Sequence, residues 1–114
     1  MLGCLFFGAS VLDAGEPMRM QVRPQMSMAP GFVTVKVVVE AAPENRRLQV
    51  TAESADFYRS SEVQLDGANG VPLSVFEFRG LPTGTYYVTG VLIGVNGPRA
   101  TASGIARVGG SAGR

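Results

Sequence analysis

The chain has 114 residues, the length of one domain, with 46% hydrophobic residues and a formal net charge of +1. That composition excludes a disordered chain, and the basic residues, dispersed except for Arg46-Arg47, leave no clustered positive footprint for nucleic acid. Histidine and tryptophan are absent and Cys4 is the single cysteine, so the usual general base, the commonest metal ligand and any internal disulfide are missing.

Residues 1–12, MLGCLFFGASVL, are apolar and uncharged up to Asp13. As a helix they span about 18 Å, short of a hydrocarbon core of ~30 Å. The length suits the apolar region of a signal peptide, with small residues Gly8-Ala9-Ser10 behind it. The positive start of such a peptide is missing, so residues 1–15 are expected to be a truncated signal; the alternative is an element of the domain. Leu2-Gly3-Cys4 resembles a lipobox, whose cysteine is acylated, and that reading requires a start upstream of Met1. Export follows as an expectation: periplasm, cell surface or medium, touching membrane only through an anchor on Cys4.

Beyond Pro17 the pattern becomes short alternating segments between turns. Met18, Met20 and Val22 alternate with Arg19, Gln21 and Arg23, a strand period. Pro24 interrupts, and Met26-Ser27-Met28 leads to a Pro30-Gly31 turn. Residues 32–40, FVTVKVVVE, form the strongest strand, with Val33, Val35, Val37 and Val39 on one face. It is expected to be central and covered on both sides; at an edge, Lys36 would be its one gatekeeper charge. Ala42-Pro43-Glu44-Asn45 reads as a turn, and Leu48, Val50 and Ala52 mark an antiparallel partner with one wet face.

Residues 54–66 are weaker, with Val63 and Leu65 suggesting a short strand and Phe57 and Tyr58 covering a core edge. A turn at 67–70 precedes a strand over 73–79, with Phe76 and Phe78 on one side. Residues 86–92 and 100–108 form a hairpin closed at Asn96-Gly97, with Ala102, Ala106 and Val108 inward. Some seven strands at this spacing, without helical periodicity, predict an all-β fold: a single antiparallel sandwich over residues 16–109, followed by a flexible tail at 110–114.

The most informative run is Phe76-Glu77-Phe78 followed by Gly80-Leu81-Pro82-Thr83-Gly84-Thr85-Tyr86-Tyr87-Val88. Leu81 is placed to anchor a crossing between sheets, Pro82 to fix φ, and Gly84 to permit a bend. Tyr86 then enters the next strand buried, its hydroxyl free to bond nearby backbone. These thirteen residues resemble the F-x-F-x-x-L-P-x-G-x-Y-x-V run of bacterial immunoglobulin-like, transthyretin-like and carboxypeptidase-regulatory-like sandwich domains. The resemblance implies an immunoglobulin or fibronectin-III-like sandwich. Modules of this kind serve as spacers, stalks, carbohydrate-binding appendages and folding aids, so it implies no single function.

Candidate sites are few. Met18, Met20, Met26 and Met28 form two M-x-M pairs whose thioethers suit Cu(I); the alternative is packing of adaptable apolar side chains. Glu53 with Asp56, or Glu62 with Asp66, are carboxylate pairs, read as solvated loop charges. Ser60-Ser61 has no histidine to activate it. If Tyr86 is core, Tyr87 faces outward and joins Tyr58 as a surface contact for a flat ligand such as a sugar. The sequence therefore predicts a domain without catalytic residues or a cofactor: a structural or interaction module of the bacterial cell envelope, partnered by another envelope protein or a sister domain. A carbohydrate or Cu(I) binder is the alternative.

Overall fold

The computed structural model describes residues 17–70 and 72–110. The expected signal segment with Cys4, and residues 111–114 of the expected tail, lie outside them. The described residues form eight strands: β1 (Met18–Arg23), β2 (Met26–Met28), β3 (Gly31–Val39), β4 (Asn45–Glu53), β5 (Tyr58–Gln64), β6 (Leu73–Leu81), β7 (Gly84–Gly94) and β8 (Gly97–Gly109). They make an all-β sandwich of a three-stranded sheet, β1-β3-β6, and a five-stranded sheet, β2-β8-β7-β4-β5.

Alternation along each strand sorts the side chains. Val33, Val35, Val37 and Val39 of β3 are buried against Leu48, Val50 and Ala52 of β4 and Tyr86, Val88 and Leu92 of β7. Phe76 and Phe78 of β6 join them. Each such Val or Leu contributes about 1.5–3 kcal/mol on leaving water. β3 is central in its sheet, but it is covered on one side only: Phe32 and Val38 are exposed on the other. The expectation of cover on both sides fails because the sandwich has two layers, and the outer face of β3 meets solvent.

Pro24 lacks an N–H to continue the ladder, and there the chain leaves the three-stranded sheet. It re-forms as β2, which pairs parallel to β8 at the edge of the other sheet and supplies the one parallel pair among the described strands. This short strand raises the count from the expected seven to eight. The β7–β8 hairpin turns through Val95 and Asn96, one residue earlier than expected, with Gly97 opening β8 at φ 110°.

β1 closes one flank by packing its inner residues on small ones. A Cβ on Gly104 of β8 would stand 2.7 Å from Val22 Cγ2, and one on Gly90 of β7 would stand 3.0 Å from Met20 Sδ. The crossing from β6 to β7 is pinned from within. Leu81 and Tyr86 are fully buried, and the Tyr86 hydroxyl donates to the Pro82 carbonyl oxygen at 2.6 Å. The Phe57 ring meets Tyr86 edge-on at 6.2 Å, whereas Tyr58 points outward and covers no core edge. The left-handed residue of this segment is Gly80, at φ 68°, rather than Gly84, which instead lies close against Ser54.

A second buried polar group sits at the opposite end. Asn45 is 1% exposed; its Nδ2 donates to the Glu40 carbonyl at 3.0 Å and its Oδ1 accepts from Arg99 at 2.6 Å. Arg99 also lies 3.9 Å from Glu44. The Asn45 amide is therefore satisfied on both sides, as burial requires.

Two outcomes are expected from this packing. Tyr86→Phe removes the bond to Pro82 and lowers stability by about 1–2 kcal/mol; a urea midpoint equal to wild type would contradict it. Gly104→Ala drives a methyl into a stiff β-branched neighbour and costs about 1–3 kcal/mol, more than Gly90→Ala, where the thioether end of Met20 gives way. Equal midpoints for the two variants would show that β1 does not approach as closely as described.

Candidate functional site

The outer face of the three-stranded sheet follows from the same alternation. With Met18, Met20 and Val22 turned inward, β1 presents Arg19, Gln21 and Arg23 to solvent. β3 presents Phe32, Thr34, Lys36 and Val38; β6 presents Leu73, Val75, Glu77 and Arg79. The register aligns these in rungs: Arg23, Thr34 and Glu77; Gln21, Lys36 and Val75; Arg19, Val38 and Leu73. Lys36 thus faces Gln21 directly and has Arg19 and Arg23 on its two diagonals, about 7–8 Å away.

Four cations share this face with one carboxylate, on a chain whose net charge is only +1. The carboxylate is already engaged: Arg79 donates twice to Glu77, at 3.2 and 2.8 Å. Among the described residues no ion pair involves Arg19, Arg23 or Lys36. Mutual repulsion of such charges at ~8 Å in water is about 0.5 kcal/mol and is screened further by salt. The face tolerates its cations, and it offers Arg19, Arg23 and Lys36 unneutralised to a ligand.

Between β1, the Pro24 crossing and β3 lies an open groove of about 840 Å³ lined by Gln21, Arg23, Pro24, Gln25, Phe32, Thr34 and Lys36. Two amides and two cations supply N–H donors, Thr34 a hydroxyl, and Phe32, 47% exposed, an apolar wall. None of the lining residues carries a carboxylate. The chemistry fits an anion with an apolar body. Sequence reasoning passed over these residues, since dispersed cations are gathered only by the β1–β3 register. The signal available was the shared outward phase of Arg19, Arg23 and Lys36.

The residues singled out from the sequence fall elsewhere. Met18 is buried and Met20 partly buried inside the sandwich, while Met26 and Met28 are exposed on β2 at the edge of the other sheet. The two M-x-M pairs thus serve different surroundings, the first being core packing. Glu53, Asp56, Glu62 and Asp66 are exposed, and Glu62 lies 3.8 Å from Arg47. Among the described residues no group of three His, Cys, Asp or Glu side chains is placed to hold a metal ion. Ser60 and Ser61 lie exposed on β5.

Tyr58 and Tyr87 are brought together. Both pair in register with Glu53, from β5 and β7, and both are exposed on the outer face of the five-stranded sheet. The next rung carries Ser60, Thr51, Thr89 and Ser103, a line of hydroxyls across four strands.

No protein-family model matches the chain, and no curated protein matches it in sequence. Solved structures do resemble it. A superoxide reductase (neelaredoxin) from Ignicoccus hospitalis aligns at a TM-score of 0.60 and 14% identity, over 89% of this chain and 88% of that one. A family 76 glycoside hydrolase from a bovine Bacteroides thetaiotaomicron strain aligns at 0.56 and 17% identity, over 80% of this chain and 20% of that enzyme. The CARDB domain of a Pyrococcus furiosus protein, in complex with di-metal ions, aligns at 0.50 and 14% identity, over 82% and 91%. At these identities the likeness is one of fold, and the CARDB match agrees with the β-sandwich expected from the sequence. The superoxide reductase matches correct the expected function. A non-catalytic envelope module was inferred from missing catalytic residues, with a carbohydrate or Cu(I) binder, inferred from the tyrosines and the M-x-M pairs, as its alternative; yet an enzyme uses a similar sandwich across nearly its whole length. The fold is one that carries catalysis.

Proposed function

We propose that the chain binds an organic anion, a carboxylate or phosphate ester with an apolar body, in the groove between β1 and β3. The observation that carries this reading is the pair Arg23 and Lys36, without an ion-pair partner among the described residues, beside the exposed ring of Phe32. In this assignment Arg23 and Lys36 hold the anionic group, Gln21, Gln25 and Thr34 orient its oxygens, and Phe32 covers the apolar part. A cation at ~4 Å in a water-like dielectric contributes about 1 kcal/mol. Covering ~40 Å² of apolar surface contributes about 1 kcal/mol more. Two cations and one ring therefore amount to about 3 kcal/mol and millimolar affinity. The apolar contact is what separates an organic anion from inorganic phosphate. Superoxide reductases act, by their name, on an anion, which suits a sandwich carrying a basic groove. In an enzyme on this scaffold the same two cations would hold the anionic substrate.

Two further readings belong to this proposal. The run from Phe76 to Val88 supports a place near transthyretin-like and carboxypeptidase-regulatory-like domains. The apolar residues 1–12 support export, with acylation of Cys4 as the route to a membrane.

Titration with phenyl phosphate, followed by amide chemical shifts, is the test. Shifts are expected to concentrate at residues 21–25 and 32–36, with millimolar affinity that falls as salt rises. Arg23→Gln with Lys36→Gln is expected to weaken binding about tenfold or more, and inorganic phosphate to bind more weakly than the phenyl ester. No shifts in that segment at ~20 mM ligand, or an affinity unchanged in the double variant, would overturn the assignment.

A further inference from the structure

On the other face of the sandwich, Glu53 stands between two exposed tyrosines. It is the register partner of Tyr58 on β5 and of Tyr87 on β7, and the three residues form one rung across β5, β4 and β7. Inward neighbours fix this orientation: Ala52, Tyr86 and Val88 are buried, so Glu53 and Tyr87 must point out. Tyr58 is 61% and Tyr87 58% exposed. No hydrogen bond or ion pair engages the Glu53 carboxylate among the described residues.

The nearby cations are occupied or set apart. Arg59, next to Tyr58, turns to the opposite side, where its guanidinium lies 5.0 Å over Phe57 and donates to the Arg79 carbonyl. Arg107 on β8, the register partner of Thr85, stands diagonal to Tyr87 and lines a shallow pocket with it, on the side of Tyr87 away from Glu53 and two strands from β4. Glu53 is thus a bare carboxylate with an aromatic ring on each side, where the rest of its rung is Ile105.

We infer that this rung is a binding site for an organic ammonium group. Adjacent strands lie about 4.8 Å apart, so the tyrosine columns are separated by about 9.6 Å with Glu53 midway. A cation seated over the carboxylate is then about 5 Å from each column, inside the ~6 Å reach of a cation–π contact. With the two rings turned face-on to the carboxylate, their negative faces and Glu53 act on the same charge. A neutral ligand of the same shape gains only the apolar part. The site is independent of the anion groove, since it lies on the opposite sheet and shares no residue with it.

The ammonium is carried equally by a small quaternary ammonium compound or by a lysine side chain, and the test has an arm for each. Choline and Nα-acetyl-lysine methylamide, which keeps its side-chain ammonium, are titrated separately, with 3,3-dimethylbutanol as the uncharged isostere of choline. Ring currents from Tyr58 and Tyr87 are expected to shift the choline methyl protons upfield, with affinity in the millimolar range or weaker. Glu53→Gln is expected to weaken binding about fivefold, Tyr87→Leu to reduce the upfield shift, and Tyr58→Leu with Tyr87→Leu to remove it. All three residues are exposed, so the variants are expected to fold; their circular dichroism and urea midpoints confirm it. Stronger binding of the lysine arm assigns a protein-borne ammonium, and stronger binding of choline a small-molecule one; either supports the site. Equal affinity for the dimethylbutanol, an unchanged affinity in Glu53→Gln, or no binding of either ammonium at ~100 mM would overturn it.

Discussion

The register between β1 and β3 is the constraint on which both the core and the candidate site depend. Side chains alternate with a period of two, so a slip of one residue would exchange the two faces of β1. Met18, Met20 and Val22 would then meet water, and Arg19, Gln21 and Arg23 would be driven among the valines of β3. Burying one unpaired guanidinium costs several kcal/mol, far more than any surface interaction returns. The core therefore enforces the pairing, and the pairing places Lys36 between two arginines. The basic groove is a by-product of apolar packing on the reverse of the same strands.

Closure of the sandwich rests on a few positions where packing is tight or polar groups are buried. Gly90 and Gly104 leave room for the inner residues of β1, which is how an edge strand comes down onto the five-stranded sheet. Tyr86 ties the β6–β7 crossing to its own ring through the Pro82 carbonyl. At the far end Asn45 joins Glu40 and Arg99, linking the β3–β4 connection to β8. Between these pins the outer faces are free to carry chemistry without altering the interior, because neither Lys36 nor Glu53 contributes to the core.

Much of the fold was legible because apolar and polar residues alternate cleanly in β1, β3, β4 and β7, and because turn residues mark their ends. What alternation reports is a face, not a neighbour. It put Lys36 and Arg23 on the faces opposite the apolar residues, but showed neither that the outer face of β3 meets solvent nor that the two share a sheet, since β1 and β3 are separated by a strand that belongs to the other layer. The same blindness hid the rung of Tyr58, Glu53 and Tyr87, assembled from three strands. Asn45 was read as an ordinary turn residue, because its buried partner Arg99 lies 54 positions away. β2 escaped as a separate strand because three residues are too few to establish a period. The expectation of a molecule without catalysis failed for another reason: missing histidines speak about particular residues, whereas the fold is shared with enzymes.

The most direct measurement of the central claim is the set of interstrand proton contacts between β1 and β3 in solution. In the sheet Gln21 stands opposite Lys36, with Met20 opposite Val37 and Val22 opposite Val35. Nuclear Overhauser contacts between those backbone pairs are the expected result. Contacts instead joining Gln21 to Val35 or Val37 would contradict this register, and with it both the composition of the core and the gathering of cations at Lys36.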